Sequence, residues 1–327
     1  MSKKRLLVCF ILTLLLSGCS GASKPKVALM LARGGLGDKA FNDSAYTGLQ
    51  KAQSDLGAEI KTYDYQDGDA QIENVRQAVK DGNTLIIALG SENSKAITTV
   101  AAENPNLSFV IVDTTATGSN VTSVTFVETQ GDFLAGALAA LLSPNGKIGY
   151  LGGADVTVIR RIEFGFEQGV KYVNPNAQID SQLITGKDDF SGFAKPDVAK
   201  QLTAQMYANG DEIVYAAAGG SGLGAIEAAK SANKPIITTG SDQRWIAPEV
   251  VVTSRTKNMD SAVFMAIQQF AQGKLQPGTI TLDYKSGGIG LAPISTTLVS
   301  ADIIKKFEQI RSDLEAEKIT VQPYTGN

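Results

Sequence analysis

The chain alternates short apolar segments with longer amphipathic ones in two successive series. In the first series the pattern predicts strands at 26–31, 60–65, 84–89 and 107–112 and helices at 42–56, 69–80 and 91–103. In the second it predicts helices at 132–142, 158–173, 196–208 and 223–231 and strands at 147–151, 178–184, 212–217 and 235–239. Such alternation with short links is typical of parallel, doubly wound sheets with right-handed crossovers. The sequence therefore predicts an α/β protein of two lobes.

The segments after residue 250 are too few for a third domain. They are predicted strands at 250–253 and 279–284 and predicted helices at 260–272 and 301–317. We expect them to return and complete both lobes, so that several crossovers form a hinge. This gives an N-terminal lobe of residues 26–128 plus about 254–280 and a C-terminal lobe of residues 129–253 plus about 281–317. Ligands of open parallel sheets bind at the carboxyl ends of the strands, which here would face a cleft.

The N-terminus has the pattern of a bacterial lipoprotein signal. Three basic residues precede the apolar run Leu6–Leu16, which is too short to span a bilayer. The run ends in Leu16-Ser17-Gly18-Cys19, an aliphatic residue, two small residues and cysteine. We therefore expect residues 1–18 to be a signal peptide, Cys19 to carry lipid, and residues 19–25 to form a tether. The protein would be anchored to the cell membrane, facing the periplasm or the exterior. An ordinary secretory signal with an incidental cysteine would instead leave a free protein.

Composition excludes several classes of function. The 327 residues contain no histidine, the commonest metal ligand and the commonest general base at neutral pH. Both cysteines belong to the predicted signal and lipid site, so no zinc or thiol-protease set exists. A net charge of −3 argues against a nucleic-acid partner. We predict no metal and no cofactor, although Ser-Lys or paired-carboxylate chemistry stays open.

A glycine-rich segment, Gly34–Asp43, follows the first predicted strand. It matches neither the dinucleotide pattern G-x-G-x-x-G nor a Walker A loop. It does offer flexible backbone, the carboxylate of Asp38, the ring of Phe41 and the amide of Asn42, which together suit ligand recognition. The alternative is a plain turn in which Asn42 caps a helix and Phe41 belongs to the core.

Polar residues also follow other predicted strands. Asp113 ends the strand at 107–112, Gly220 lies in a glycine-rich turn before a helix, Asp242 follows the strand at 235–239, and Lys257 follows the strand at 250–253. Each has an ordinary explanation as a turn or surface residue. Together they place carboxylates, amides and an ammonium group at strand ends of both lobes.

These residues lie in segments that resemble a known family, the basic membrane protein lipoproteins of the purine-nucleoside-receptor type. The matching segments are Gly34-Gly35, Gly37–Tyr46, Asp132–Gly136, Gly149–Gly153, Ile159–Arg161, Phe164–Phe166, Ala218–Gly222, Asp242-Gln243 and Ser254–Lys257. Members of that family are solute-binding components of ABC transporters. The resemblance implies a type I periplasmic binding protein fold with three hinge crossovers, and a purine nucleoside as ligand.

The resemblance also implies roles for single residues. Phe41 matches one of two rings that sandwich the base, and Phe190 matches the second, with Phe193 a close competitor. Asn42 and Asp113 match positions that read the base edge. The residues that match positions near the ribose are Asp242, Lys257 and the backbone of Gly220. With Asp38 these form the predicted ligand-binding set.

Two departures from the family pattern remove potential acceptors for ribose hydroxyls. Many members carry aspartate where this chain has Ala32 and Gly240. A modified nucleoside, a free base or another small polar ligand therefore stays open.

We predict a monomeric, non-enzymatic binding protein that delivers its ligand to an ABC permease. One alternative is a nucleoside-processing enzyme that uses Asp38, Asp113 or Asp242 as acid or base. The other is a ligand-sensing or surface lipoprotein of the same fold.

Overall fold

The computed structural model describes residues 24–326, which form two six-stranded sheets. The first sheet has the order β11-β5-β4-β3-β1-β2 and is parallel throughout. Its strands are β1 (Lys26–Met30), β2 (Glu59–Tyr63), β3 (Leu85–Leu89), β4 (Ser108–Val112), β5 (Val121–Phe126) and β11 (Gly278–Leu282). These strands and the helices packed on them are called the first lobe.

The second sheet has the order β12-β10-β9-β8-β6-β7, and only β12 runs antiparallel to its neighbour. Its strands are β6 (Lys147–Asp155), β7 (Gln178–Lys187), β8 (Ile213–Ala217), β9 (Ile236–Gly240), β10 (Val251–Lys257) and β12 (Ile289–Leu291). With its helices it forms the second lobe. Two α/β lobes built on parallel sheets confirm the predicted fold class.

Helices cover both faces of each sheet, which explains why the central strands are apolar throughout. They are α1 (Phe41–Leu56), α2 (Asp69–Lys80), α3 (Ser94–Glu103), α4 (Glu128–Leu141), α5 (Thr157–Val173), α6 (Pro196–Ala208), α7 (Gly222–Ala232), α8 (Met259–Ala271) and α9 (Ala301–Glu315). Each sheet has one apolar cluster on either face. Glycine allows a close helix contact in the first lobe: a Cβ at Gly48 of α1 would lie 2.2 Å from the carbonyl oxygen of Asp260 in α8.

Within the described residues, the chain passes between the lobes three times: at Val127, at Asn258 and through 283–288. Backbone hydrogen bonds join these crossovers in pairs. The amide of Val127 donates to the carbonyl of Leu282, and the amide of Asn258 donates to the carbonyl of Gly288, both at 2.9 Å. The crossovers therefore form one connected hinge beside the cleft.

The structure differs from the predicted elements in a few places. β5 and β12 were not predicted, because β5 mixes Thr and Ser with Val and β12 is only three residues long. The predicted lobe boundary at about residue 254 also shifts. β10 continues to Lys257 in the second sheet because its last three residues pair with β12.

The predicted signal peptide and Cys19 lie outside the described residues. No helix in residues 24–326 combines the length and the apolar character that a bilayer span requires.

Candidate ligand-binding cleft

A cavity lies between the lobes, where strands of both sheets end. It contains about 760 Å³ of space free of atoms, including its open mouth. The first lobe lines it with residues that follow β1, β3 and β4, and the second lobe with residues at the ends of β8, β9 and β10 and with the start of α5. A single ligand in this space would contact both lobes, so it would stabilise whichever arrangement keeps them together.

Two hydrogen bonds join the lobes at the edge of the cleft. The carbonyl of Lys39 accepts from Ser241 Oγ at 2.6 Å and from Gln243 Nε2 at 3.0 Å. Lys39 has a φ of +54°, in the left-handed region that residues with a Cβ adopt at a cost. Strain of this kind persists where surrounding contacts fix the backbone, and here the amide of Lys39 donates to Asp43 of its own lobe at 3.1 Å while its carbonyl is held by the other lobe.

Gly240 lies directly against Ala40 of the other lobe. A Cβ at Gly240 would lie 2.7 Å from the Cβ of Ala40, and Gly240 has a φ of +106°. We predict that Gly240→Ala prevents the lobes from approaching this closely and weakens ligand binding by roughly 5- to 150-fold, since an overlap of this size costs about 1–3 kcal/mol. Calorimetric titration measures the affinity, and small-angle scattering measures compaction on ligand addition.

The control for Gly240→Ala is Gly273→Ala. Gly273 also has a positive φ, of +66°, but no atom lies within 4 Å of the Cβ position. That variant should lose some stability and keep its affinity. Equal loss of affinity in both variants would contradict the role given to the contact between Gly240 and Ala40.

The predicted aromatic residues all line the cavity. Phe41 comes from the first lobe, and Phe190 and Phe193 come from the second. The rings of Phe190 and Phe193 are 6.3 Å apart between centroids and tilted by 36°. Phe193 packs closely on its own lobe, because a Cβ at Gly153 would lie 2.5 Å from its ring and one at Gly219 would lie 3.3 Å away. This packing leaves Phe190 as the better candidate for a second stacking ring.

The turn that carries both second-lobe rings is fixed by local contacts. The hydroxyl of Ser221 donates to the carbonyl of Gly192 at 2.7 Å and accepts from the amide of Lys195 at 2.6 Å. Gly192 lies so close to β6 that a Cβ would be 1.8 Å from the carbonyl oxygen of Gly153. The backbone of the turn that carries Phe190 and Phe193 is therefore held firmly against the second lobe.

Asp38 lines the cavity, but its carboxylate is engaged by the protein. Its two oxygens accept from the amides of Ala40, Asn42 and Asp43 and from the side chain of Asn42, at 2.8–3.1 Å. These four donors fill the four lone-pair sites of a carboxylate. Burial raises the pKa of Asp38, and the backbone amides oppose that shift. Asp38 thus fixes the start of α1 and the position of Phe41, and its direct contact with a ligand stays a prediction.

Asn42 is also held in place by neighbours. Its Oδ1 accepts from the amide of Ala32 at 2.9 Å, and its Nδ2 donates to Asp38. The side chain is almost fully buried and lines the cavity. One amide hydrogen and one lone pair stay available for a ligand.

Asp113 and Lys257 form an ion pair across the cleft. Lys257 Nζ also contacts Glu128 at 3.1 Å, and Glu128 in turn accepts from Arg161 at 2.7 Å. Burial raises the pKa of Asp113 to about 6 although Lys257 opposes it. Burial acts in the same direction on Glu128, but Lys257 and Arg161 outweigh it and lower the pKa of Glu128. Asp113 also has a φ of +76°, so its backbone is strained where it faces the cavity.

The remaining predicted residues lie at different depths. Gly220 lines the cavity and approaches Asp38, whose Cβ would lie 3.5 Å from a Cβ at Gly220. Lys257 lies 6.0 Å from the centroid of the Phe41 ring. Asp242 is not among the lining residues: it is partly exposed, and Arg244 binds both of its oxygens at 2.6–2.9 Å. The structure therefore does not bring Asp242 to the cavity wall.

Three charged residues of the cavity are absent from the predicted set. They are Arg33, after β1, Glu92, after β3, and Arg255, in β10. Asp113 is a candidate because it is a polar residue just beyond a buried strand. Glu92 meets the same criterion. Glu92 was passed over because it falls in the predicted helix 91–103, which in the structure begins with a separate short turn at Ser91–Asn93.

A second buried ion pair lies in the second lobe beside the cavity. Arg255 Nε donates to Asp132 Oδ1 at 2.8 Å, and the hydroxyl of Tyr215 donates to the same oxygen. Both charged side chains are almost completely buried. Asp132 Oδ2 and Arg255 Nη1 have no hydrogen-bond partner. Within residues 24–326, no group of three or more His, Cys, Asp or Glu side chains is arranged to hold a metal ion.

The two lobes, their three connections and the cavity between them define the class of two-lobed solute-binding proteins. A solute-binding protein of an ABC transporter system from Aeropyrum pernix K1 has the same fold, with a TM-score of 0.84 and 22% identity over 93% of this chain and 94% of that one.

The chain belongs to the Bmp family, described as ABC transporter substrate-binding protein PnrA-like, whose family model matches residues 25–322. It is 30% identical to basic membrane protein A of Borreliella burgdorferi, over 93% of this chain and 89% of that protein. It is 32% identical to the ABC transporter nucleoside-binding protein BmpA of Lactococcus lactis, over 93% and 92%. These findings confirm the family resemblance. As an ABC transporter substrate-binding protein, the chain acts outside the cytoplasm with a small-molecule ligand and a permease as partners.

Proposed function

We propose that the protein is a lipid-anchored receptor that binds a purine nucleoside between its lobes, without altering it, and delivers it to an ABC permease. The observation that carries the proposal is the presence of Phe41 and Phe190, from opposite lobes, in one cavity with Asp113 and Lys257. The name of the Lactococcus relative supports the ligand class. Lipid on Cys19 would keep the receptor at high local concentration beside its permease.

A planar base suits this cavity because aromatic faces and charged edges meet there. Stacking on a ring contributes about 1–3 kcal/mol per base and does not depend strongly on which base it is. Asp113 and Asn42 provide polar groups beside the rings, and Lys257 provides a donor near Phe41. Closure follows from the same geometry, because a base held by rings of both lobes binds the closed form better than the open one.

Phe41→Ala tests the stacking role. We predict that this variant loses about 1–3 kcal/mol of nucleoside binding, roughly 5- to 150-fold in Kd, because one face of the base loses its ring. Isothermal titration with adenosine, guanosine, inosine and their free bases measures the effect.

The matched control for Phe41→Ala is Phe164→Ala. Phe164 is half-buried, packs near Tyr324 and lies outside the cleft. The Phe164→Ala variant should therefore bind nucleosides with the affinity of the wild type. A Phe41→Ala variant that binds nucleosides as tightly as the wild type would contradict the stacking arrangement. Chromatography of the titrated mixture distinguishes a receptor from a nucleoside-processing enzyme. A receptor leaves the nucleoside unchanged, whereas an enzyme would yield a product.

A further inference from the structure

Glu92 lies in the cavity wall between the ends of β1 and β4. Its Oε1 accepts from the amide of Arg33, which follows β1, at 3.1 Å. The neighbouring Gly90 donates its amide to the carbonyl of Val112 at 2.9 Å, directly before Asp113. Residue 33, after β1, therefore holds the carboxyl group of Glu92, and β4 holds the backbone two residues before it, which places this carboxyl group at the same edge of the sheet as Asp113.

Gly90 makes room for this carboxyl group. A Cβ at Gly90 would lie 2.5 Å from Glu92 Oε2, and Gly90 has a φ of +81°. The side chain of Glu92 thus folds back over a glycine, into the cavity, where a larger residue at 90 would displace it. Gly90, Ser91 and Glu92 all line the cavity.

Most charged and amide groups of the cavity wall already have protein partners. Asp38 accepts four hydrogen bonds, and Arg255 binds Asp132 and Tyr215. Glu92 differs: its carboxyl group accepts hydrogen bonds from two backbone amides, those of Arg33 and of Glu92 itself. Asp113 similarly contacts Lys257 through one oxygen. Both carboxyl groups therefore keep lone pairs that a ligand can use, and both belong to the first lobe, on the ends of β3 and β4.

We propose that Glu92 is a specificity-determining residue that, together with Asp113, accepts hydrogen bonds from a ligand edge carrying two adjacent donors. Guanine offers such an edge through its ring N–H and its exocyclic amino group. Adenine offers one donor beside one acceptor, and the lone pair of that acceptor would repel a carboxylate oxygen. The inference rests on the proposed function and narrows its ligand to purines of the guanine type.

The charges around Glu92 support this assignment. Burial raises its pKa to about 7, Asp113 acts in the same direction, and the amide and charge of Arg33 oppose it. Tyr65, which follows β2, is the other titratable group that faces Glu92. A ligand that donates hydrogen bonds favours the ionised carboxylate, so guanosine should bind more tightly at about pH 8 than at about pH 6.

The experiment compares Kd for guanosine and adenosine in the wild type and in Glu92→Gln, by titration calorimetry at both pH values. Glutamine keeps the size of the side chain and removes its charge. Hydrogen bonds to charged groups contribute about 1.5–3 kcal/mol, so guanosine affinity should fall by tenfold or more. Adenosine affinity should change by less than about threefold, and the pH dependence for guanosine should become weaker, with Asp113 as its remaining source. Glu103→Gln, an exposed carboxylate paired with Arg76, is the control and should alter neither affinity.

The outcomes separate the inference from the proposed function. Tighter binding of guanosine than adenosine, with the difference lost in Glu92→Gln, supports the inference. If both nucleosides bind and Glu92→Gln leaves the ratio of their two Kd values unchanged, the inference is overturned. The proposed nucleoside-binding function is then unaffected. Failure of the wild type to bind any nucleoside overturns the proposed function and the inference together.

Discussion

Replacing Lys257 by methionine is expected to lower the free energy of unfolding by about 3–5 kcal/mol, the usual cost of removing one partner from a buried ion pair. Lys257 is the cation between Asp113 and Glu128, and all three side chains are at least nine-tenths buried. Methionine fills a similar volume but leaves Asp113 without a counter-charge, while Glu128 keeps Arg161. Denaturant unfolding followed by circular dichroism measures the change.

The loss should depend on pH. Burial already raises the pKa of Asp113 to about 6 in the presence of Lys257, against 3.8 for an ordinary aspartate. Without Lys257 this pKa rises further, so the folded state binds more protons than the unfolded state, and stability falls as pH increases. The Lys257→Met variant should therefore be closer to the wild type at about pH 5 than at about pH 8.

Lys200→Met provides the control for Lys257→Met. Lys200 pairs with Glu227, and both side chains are about half exposed or more. Exposed pairs contribute about 0–1 kcal/mol, so this variant should be nearly as stable as the wild type. A Lys257→Met protein as stable as Lys200→Met would show that the buried pair contributes little. The pair also joins the lobes, so a variant that folds should bind ligand more weakly.

Much of this fold could be predicted from the sequence because it depends on local patterns. Apolar runs of strand length and helical spacing depend on neighbouring residues, and they identified ten of the twelve strands among residues 24–326. β5 is not predicted because Thr122, Ser123 and Thr125 look polar in the sequence, although the sheet buries the first two. β12 was missed because three residues carry too little pattern.

The candidate site was only partly predictable, because the partners of a polar residue come from elsewhere in the chain. Asp113 and Lys257 were selected separately, and their pairing across 144 positions could not be read from either segment. Asp242 was selected on the same grounds, but Arg244, two residues away, engages its carboxylate. Glu92 follows β3, but it also fits the helical pattern predicted for residues 91–103, so the sequence does not identify it as a residue at a strand end.

Arg255→Met is expected to be as damaging as Lys257→Met, with a loss of about 3–5 kcal/mol, because it leaves Asp132 buried without its counter-charge. Burial raises the pKa of Asp132 to about 6 even with Arg255 present. In the variant that pKa rises further, the folded state holds the extra proton, and stability falls as pH increases. Thermal unfolding at about pH 5 and about pH 8 should show the smaller loss at the lower value.

The double variant Asp132→Asn/Arg255→Met decides whether the pair itself stabilises the protein. Asparagine keeps an acceptor for the hydroxyl of Tyr215, which hydrogen-bonds to Asp132 Oδ1 in the wild type. The wild-type pair already leaves Asp132 Oδ2 and Arg255 Nη1 without partners, so its geometry does not fully compensate the cost of burying two charges. We expect the double variant to recover at least half of the stability lost in Arg255→Met.

Ligand affinity in the same double variant distinguishes two roles for Arg255, which lines the cavity. If the guanidinium only supports the wall of the second lobe, a stable double variant binds nucleoside as the wild type does. If Arg255 Nη1 receives an acceptor of the ligand, affinity falls although stability returns. Because Asp132 and Tyr215 hold the side chain through Nε, we expect the first result, and a tenfold loss of affinity in a stable double variant would contradict it.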